Sequence, residues 1–366
     1  MSFNAAKAYL KVKENYLHFV LDRSCGAFPN LGDDDLWRRS REYLRGIWTS
    51  DRPSQSLFAK PIIEGLFPYP TVEETPQDLI DRGILDARML PFIPGWLQHF
   101  YVHQQKSIEL SRDKHIIVQS GTGSGKTECF LYSMLNNLYR SETEEQLREP
   151  GVRIILIYPM NALVKDQLKR IVEILSCQDL IKVGMYTHET VEIEPKPNHV
   201  RAMRKMTSWQ EAGWKNGNGC YVYSRSQLRN NPPHILITNY SMLEYMMLRP
   251  KDDRVFSGAK LKYIVLDEAH IYKGATGMET SMLMRRLRAR ISEPGKVQYI
   301  LTSATLGGPD ANEEIVTFAK KLTGVSFAAD GIIRAAEKQP PMLEERVIDP
   351  ALFTELCKAP VSVSVI

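Results

Sequence analysis

The sequence predicts a doubly wound α/β domain on a mostly parallel sheet, preceded by a helical region. Three observations predict it. Short apolar, β-rich runs alternate with helix-length amphipathic runs through residues 96–325. Those β-rich runs are nearly continuous in apolar character, as expected of strands covered on both faces. One of them, His115-Ile116-Ile117-Val118, leads into a glycine-rich loop and then a helix.

Taken in order, residues 1–95 form a helical accessory region. Tyr9, Leu10, Tyr16, Leu17 and Val20 recur at helical spacing within Ala5–Leu21, and Leu36, Trp37, Tyr43, Leu44 and Ile47 do so within Asp33–Ile47. Pro61, Pro68 and Pro70 punctuate the chain beyond, and Pro91, Pro94 and Gly95 place a boundary near residue 95. Strands are then predicted at Ile116–Val118, Val152–Tyr158, Ile181–Tyr186, His234–Thr238, Leu261–Leu266 and Val297–Thr302. Helices are predicted at Glu128–Tyr139, Asn161–Leu175, Ser241–Leu248, Met278–Ile291 and Asn312–Leu322. A ligand belongs at the carboxyl ends of such strands. Residues 326–366, with Pro340, Pro341, Pro350 and Pro360, are a linker or truncated segment too short for a second domain of this kind.

One segment breaks the alternation. From Thr187 to Asn231 there is no sustained apolar periodicity, and Lys196, Arg201, Arg204, Lys205, Lys215, Arg225 and Arg229 are interleaved with Trp209, Trp214, Tyr221 and Tyr223. Such a mixture suits phosphate contacts with base stacking, and equally a solvated loop held down by aromatic anchors. Arg285, Arg286, Arg288 and Arg290 share a helix with Met282, Leu283, Leu287 and Ile291, and are expected to form its solvated face.

Composition narrows the classes. The net charge of +4 is mild, so a nucleic-acid partner has to be argued from local patches. The five cysteines are far apart without a C-x-x-C pair, which indicates neither a zinc site nor a disulfide framework. No apolar run approaches the ~20 residues of a membrane span, and the N-terminus has no apolar export segment, so a cytoplasmic protein is expected.

The chemistry starts at Gln119-Ser120-Gly121-Thr122-Gly123-Ser124-Gly125-Lys126-Thr127. Gly121, Gly123 and Gly125 allow backbone N–H groups to turn onto an anion, with Thr122 and Ser124 completing the cradle. The helix N-terminus adds partial positive charge, Lys126 reaches the β- and γ-phosphates, and Thr127 is placed for Mg²⁺. Ser120 stands at the first glycine position of this motif. A dinucleotide fingerprint is excluded, because Lys126 occupies the place of its last glycine. The second half is Leu261-Lys262-Tyr263-Ile264-Val265-Leu266-Asp267-Glu268-Ala269-His270, a buried strand ending in two carboxylates. Asp267 can hold Mg²⁺ through its water shell, and Glu268 can orient and deprotonate an attacking water. Alone, the pair is more readily a helix cap; beside the glycine loop it completes an ATP site.

With these two stretches the chain resembles the superfamily 2 helicases and translocases of DEAD/DEAH-box type. Gly121–Thr127 matches their motif I and Asp267-Glu268-Ala269-His270 their motif II. Phe100-Tyr101-Val102-His103-Gln104 is similar to the Q motif, which implies that Gln104 reads the adenine edge. Tyr158-Pro159-Met160-Asn161-Ala162-Leu163 and Thr238-Asn239-Tyr240-Ser241-Met242-Leu243 resemble motifs Ia and Ib, which face the polynucleotide, and Ser303-Ala304-Thr305 resembles motif III, which couples the two sites. His270 is implied as a relay, whereas His103 and His188 are expected to be ordinary satisfied histidines. The resemblance implies a RecA-like ATP-binding domain over residues 96–325, with ATP and Mg²⁺ as cofactors and Lys126, Asp267 and Glu268 as catalytic residues. The wording around the motifs is most similar to large bacterial DEAH-box helicases of DNA repair and phage defence, which favours DNA over RNA. It further implies a second RecA-like domain in cis or in trans, without which hydrolysis is weak. A non-catalytic module that binds ATP or nucleic acid beside a partner is the alternative. A phosphate-loop kinase or transporter ATPase fits Asp267-Glu268-Ala269-His270 poorly.

Overall fold

The computed structural model describes residues 5–26, 34–49, 69–121, 123–192, 220–222, 224–256, 258–290, 294–304, 306 and 310–335. The chain divides into two compact units, Met1–Phe67 with Gln339–Ile366, and Pro68–Lys338. In the first unit, α1 (Ala5–Gly26) and α2 (Asp34–Trp48) are joined by Arg45, whose Nη2 donates to Glu14 Oε1 at 2.7 Å. No helix among the described residues is long and apolar enough to cross a membrane.

The second unit begins with α3 (Pro76–Asp81), capped by Thr75 and Asp78 in a reciprocal box, and a 3₁₀ turn over Ala87–Phe92. Prolines group this stretch with the N-terminal region in the sequence. In the folded unit its Leu79, Leu85, Met89 and Phe92 share one core with the strands and with the helix Lys126–Ser141. Asn136 clasps it, donating to Ile84 O at 2.9 Å and accepting from Asp86 N at 2.8 Å.

Then come α4 (Val102–Leu110), β1 (Ile116–Gln119), α5 (Lys126–Ser141), α6 (Glu144–Arg148), β2 (Ile154–Tyr158), α7 (Asn161–Leu175), β3 (Val183–Tyr186) and β4 (Tyr221–Val222). The chain continues through α8 (Arg225–Asn230), β5 (Ile235–Asn239), α9 (Tyr240–Leu248), α10 (Asp253–Phe256), β6 (Tyr263–Leu266), α11 (Gly274–Arg290), β7 (Gln298–Ser303), α12 (Asn312–Thr323) and β8 (Ile332–Arg334). Among the described residues the strands of this sheet pair in parallel, in the order β4-β3-β5-β2-β6-β7-β1-β8. The doubly wound α/β class predicted from the sequence is the class observed. Its six predicted strands are present; β4 and β8, of two and three residues, are too short to stand out in the sequence.

Period-two alternation sends the strand residues to two cores. Ile116, Val118, Ile154, Leu156, Ile235, Ile237, Val265 and Ile300 lie on one face with α4, α5 and α7. Ile117, Ile155, Ile157, Leu236, Ile264, Leu266 and Leu301 lie on the other with α9, α11 and α12. Below the sheet Arg153 is fully buried, held by Glu142 and by the carbonyls of Gln146, Glu149 and Gly151. A charge so placed persists because each of its three nitrogens has an acceptor.

For site geometry, the order β6-β7-β1 matters most. The carboxyl ends of β1 and β6 flank that of β7, so the glycine loop, Asp267-Glu268 and Ser303 meet on one rim.

Candidate active site

Both glycines that bracket Ser124 are left-handed, Gly123 at φ +78° and Gly125 at φ +78°, which lets the chain fold back before α5 begins at Lys126. A Cβ on Gly125 would stand 2.4 Å from Gln104 Nε2, so any other residue would be strained in this left-handed backbone and would push the glutamine amide from its place. Ser124 Oγ donates to Gly121 O at 2.9 Å and closes the loop, while Ser120 N donates to Ser303 O at 3.1 Å and seats its base on β7. Thr122 and Thr305 lie outside the described residues, as do Lys196, Arg201, Arg204, Lys205, Trp209, Trp214, Lys215 and Tyr223 of the basic segment.

The loop is backed by the start of α4. His103, 2% exposed, lies with Nε2 2.8 Å from Ser124 O, and Gln104 Nε2 donates to Gly125 O at 3.5 Å. Gln104 Oε1 accepts from Tyr101 N at 3.0 Å, which fixes the amide's orientation. Tyr101 stacks on His103 at 5.4 Å and Tyr69 meets both rings edge-on, forming an aromatic wall beside Gly121. His103 is thus satisfied, as expected, and burial holds its pKa below the usual imidazole range.

Lys126 meets one of the two carboxylates that follow β6. Its Nζ donates to Glu268 Oε1 at 2.9 Å, with both side chains largely shielded. Glu268 sits at φ +48°, ψ +49°, and is the one non-glycine residue with positive φ among the described residues. Holding a residue there costs on the order of 1 kcal/mol, a cost met by surroundings that require the side chain's direction. Asp267 is 8% exposed, and its Oδ1 accepts from Thr302 Oγ1 and from Glu268 N at 3.0 Å. Burial raises its pKa above the ordinary carboxylate value, opposed by the Thr302 hydroxyl. His270 Nδ1 lies 3.1 Å from Ser303 Oγ and 3.3 Å from Glu268 Oε2, linking the end of β7 to the carboxylate pair.

The structure therefore brings Gln104, Gly121, Gly123, Ser124, Gly125, Lys126, Thr127, Asp267 and Glu268 onto one rim. Sequence reasoning missed Thr302, the Tyr69 wall and Gln167, whose Oε1 accepts from Thr127 Oγ1 at 3.2 Å. Only the helical spacing of Gln167 and Arg170 hinted at a shared polar face of α7.

On the same rim, farther along, Asn239 Nδ2 donates to Asn161 Oδ1, so the Ia-like and Ib-like stretches touch at the ends of β2 and β5. Arg225 and Arg229 of the basic segment face inward. Arg225 lies over the Tyr186 ring at 5.3 Å and donates to Thr187 O, and Arg229 donates to buried Asp252 at 2.7 Å. On α11, Arg286 and Arg290 pair with Glu244 and Asp253, and Arg285 and Arg288 with nearby oxygens.

The family model described as DEAD/DEAH box helicase matches residues 101–313. The chain belongs to the DEAD/DEAH box helicase family. It is similar to the Druantia protein DruE of Escherichia coli, 34% identical over 326 residues covering 66% of this chain and 18% of DruE. The chain thus spans less than a fifth of that relative. Among solved structures, DUF1998 helicase MrfA bound to DNA matches with TM-score 0.50 and 23% identity, over 73% of this chain and 29% of that one. DEAD-box helicase Mss116 bound to ssRNA and UDP-BeF matches with TM-score 0.51 and 18% identity, over 74% and 47%. Both likenesses are of fold.

Proposed function

We propose that residues 96–325 form the ATP-hydrolysing first RecA-like domain of a nucleic-acid-dependent helicase or translocase that acts on DNA. The observation that carries this is the Lys126–Glu268 pair at 2.9 Å, which joins the phosphate cradle to the carboxylate strand across the end of β7. A γ-phosphate entering the cradle takes the ammonium, and the released carboxylate is then positioned to accept a proton from water. Gln104, already fixed against the loop, reads the adenine edge.

Thr127 and Asp267 fit a magnesium site. A buried carboxylate whose ionised form is disfavoured by its surroundings, and a shielded hydroxyl in the first turn of α5, are hard-oxygen donors that a divalent cation would suit. When bound, Mg²⁺ neutralises charge on the β- and γ-oxygens. Thr302 and the Glu268 amide hold Asp267 Oδ1, which leaves Oδ2 as the oxygen that would serve a metal's water shell. The touching Asn161 and Asn239 carry the polynucleotide face, in keeping with the Ia-like and Ib-like motifs.

A second RecA-like domain, in cis or in trans, supplies the arginines that face the transferring phosphate. Such an arginine is typically worth ~10³ to 10⁵ in rate. The isolated 366-residue chain should then bind ATP, hydrolyse it slowly, and separate no strands. ATPase and strand-displacement assays with and without single-stranded DNA test this. Absence of ATP binding would overturn the whole proposal, and robust unwinding by this chain alone would overturn its two-domain part.

A further inference from the structure

One contact beside the loop has no part in holding phosphate. Thr127, at the second position of α5, is 6% exposed, and its hydroxyl donates to Gln167 Oε1 on α7 at 3.2 Å. One turn along α7, Arg170 is ion-paired with Glu128, the residue after Thr127. The two contacts are in phase (i, i+3) on α7, so they fasten one face of that helix to the first turn of α5.

A hydroxyl that ligates a cation must offer it a lone pair, and its proton must therefore point to an acceptor elsewhere. In a shielded site water is a poor supply of that acceptor, and a freely turning hydroxyl would often aim its proton at the metal. We propose that Gln167 is a positioning residue for the metal site: its Oε1 takes the Thr127 proton and turns the threonine lone pair toward Mg²⁺. The Arg170–Glu128 pair keeps α7 in register so that the acceptor stays in reach. This role rests on Thr127 being a magnesium ligand, as proposed for the ATP site, and extends that proposal to a residue outside the loop.

The test measures affinity for a fluorescent ADP in Mg²⁺ and in EDTA, for the wild-type chain, Gln167→Met, Gln167→Ala and Gln167→Glu, with thermal unfolding of each. Outer partners of metal ligands are typically worth about 10-fold or more in metal affinity, so Gln167→Met and Gln167→Ala should lose about 10-fold of the Mg²⁺-dependent enhancement. Their affinity in EDTA should match the wild type, and Gln167→Glu, which keeps an acceptor, should recover the enhancement. Equal losses with and without Mg²⁺ would make Gln167 a packing residue and overturn the inference, as would full enhancement in both Met and Ala variants. Wild-type binding of ADP without any Mg²⁺ enhancement would remove the metal site while leaving the nucleotide cradle standing. Absence of ADP binding would remove both.

Discussion

Replacing Glu268 by glutamine should tighten ATP binding while slowing hydrolysis, a combination that few substitutions produce. Glu268 Oε1 accepts from Lys126 Nζ at 2.9 Å, with side-chain exposures of 22% and 13%. In the proposed ATP site the same ammonium serves the phosphates, so the carboxylate would compete with the ligand. At an effective dielectric of about 20 the bare Coulomb attraction over such a distance is of order 6 kcal/mol, an upper bound because desolvation offsets most of it. The net value of a hydrogen bond to a charged group is about 1.5–3 kcal/mol. Glutamine keeps a neutral acceptor, so about half of this, ~0.8–1.5 kcal/mol, should return to ATP as a roughly four- to twelvefold gain in affinity. Loss of the general base should lower kcat by about 10²- to 10⁴-fold. Glutamine at φ +48° is strained much as glutamate is, so stability should change little. Fluorescent-ATP titration and steady-state ATPase decide the matter. Unchanged turnover removes Glu268 as the base, and weaker ATP binding refutes the competition between carboxylate and ligand.

Lys126→Ala should weaken ATP binding by about 10-fold or more, because it removes a charge-assisted hydrogen bond to phosphate; equal affinity in a titration would place the phosphates elsewhere. Substituting Arg201, Arg204 and Lys205 together should weaken DNA binding and flatten its salt dependence, by about 0.7 in log–log slope for each phosphate of a single strand that is no longer neutralised; an unchanged slope would leave that segment a surface loop. His234 should make stability fall in mild acid. Desolvation is the main cause that lowers its pKa from 6.5 to about 4. Its two nitrogens are occupied by Lys182 N at 3.0 Å and Leu147 O at 2.6 Å. Because the folded pKa lies below the unfolded one, the unfolded chain takes up a proton first; stability is complete above pH 6.5 and is lost as pH falls toward 4, by about 3 kcal/mol. Urea unfolding at pH 7.5 and 5 should show the drop in the wild type and a smaller one in His234→Asn; equal drops would assign the acid sensitivity to other groups.

The amino-acid sequence by itself determined the α/β class, the alternation of strands and helices, and the two stretches that meet at the rim. Each is encoded locally. Apolar runs such as Ile154–Tyr158 are buried on both faces whatever their neighbours, and Asn161–Leu175 carries its own helical period over fifteen residues. Gly123 and Gly125 announce a left-handed turn because nearly every other residue would be strained there. What only the tertiary structure decided is long-range pairing. That Lys126 waits on Glu268, that Thr302 holds Asp267, that Gln167 takes the Thr127 proton, and that Arg225 and Arg229 turn inward to Tyr186 and Asp252 all depend on strand order and on which helix face packs where. A polar side chain in a sequence declares what bonds it can make. Its partner is chosen by the fold, because burial removes water as an alternative and leaves only the groups that distant segments bring within about 3 Å.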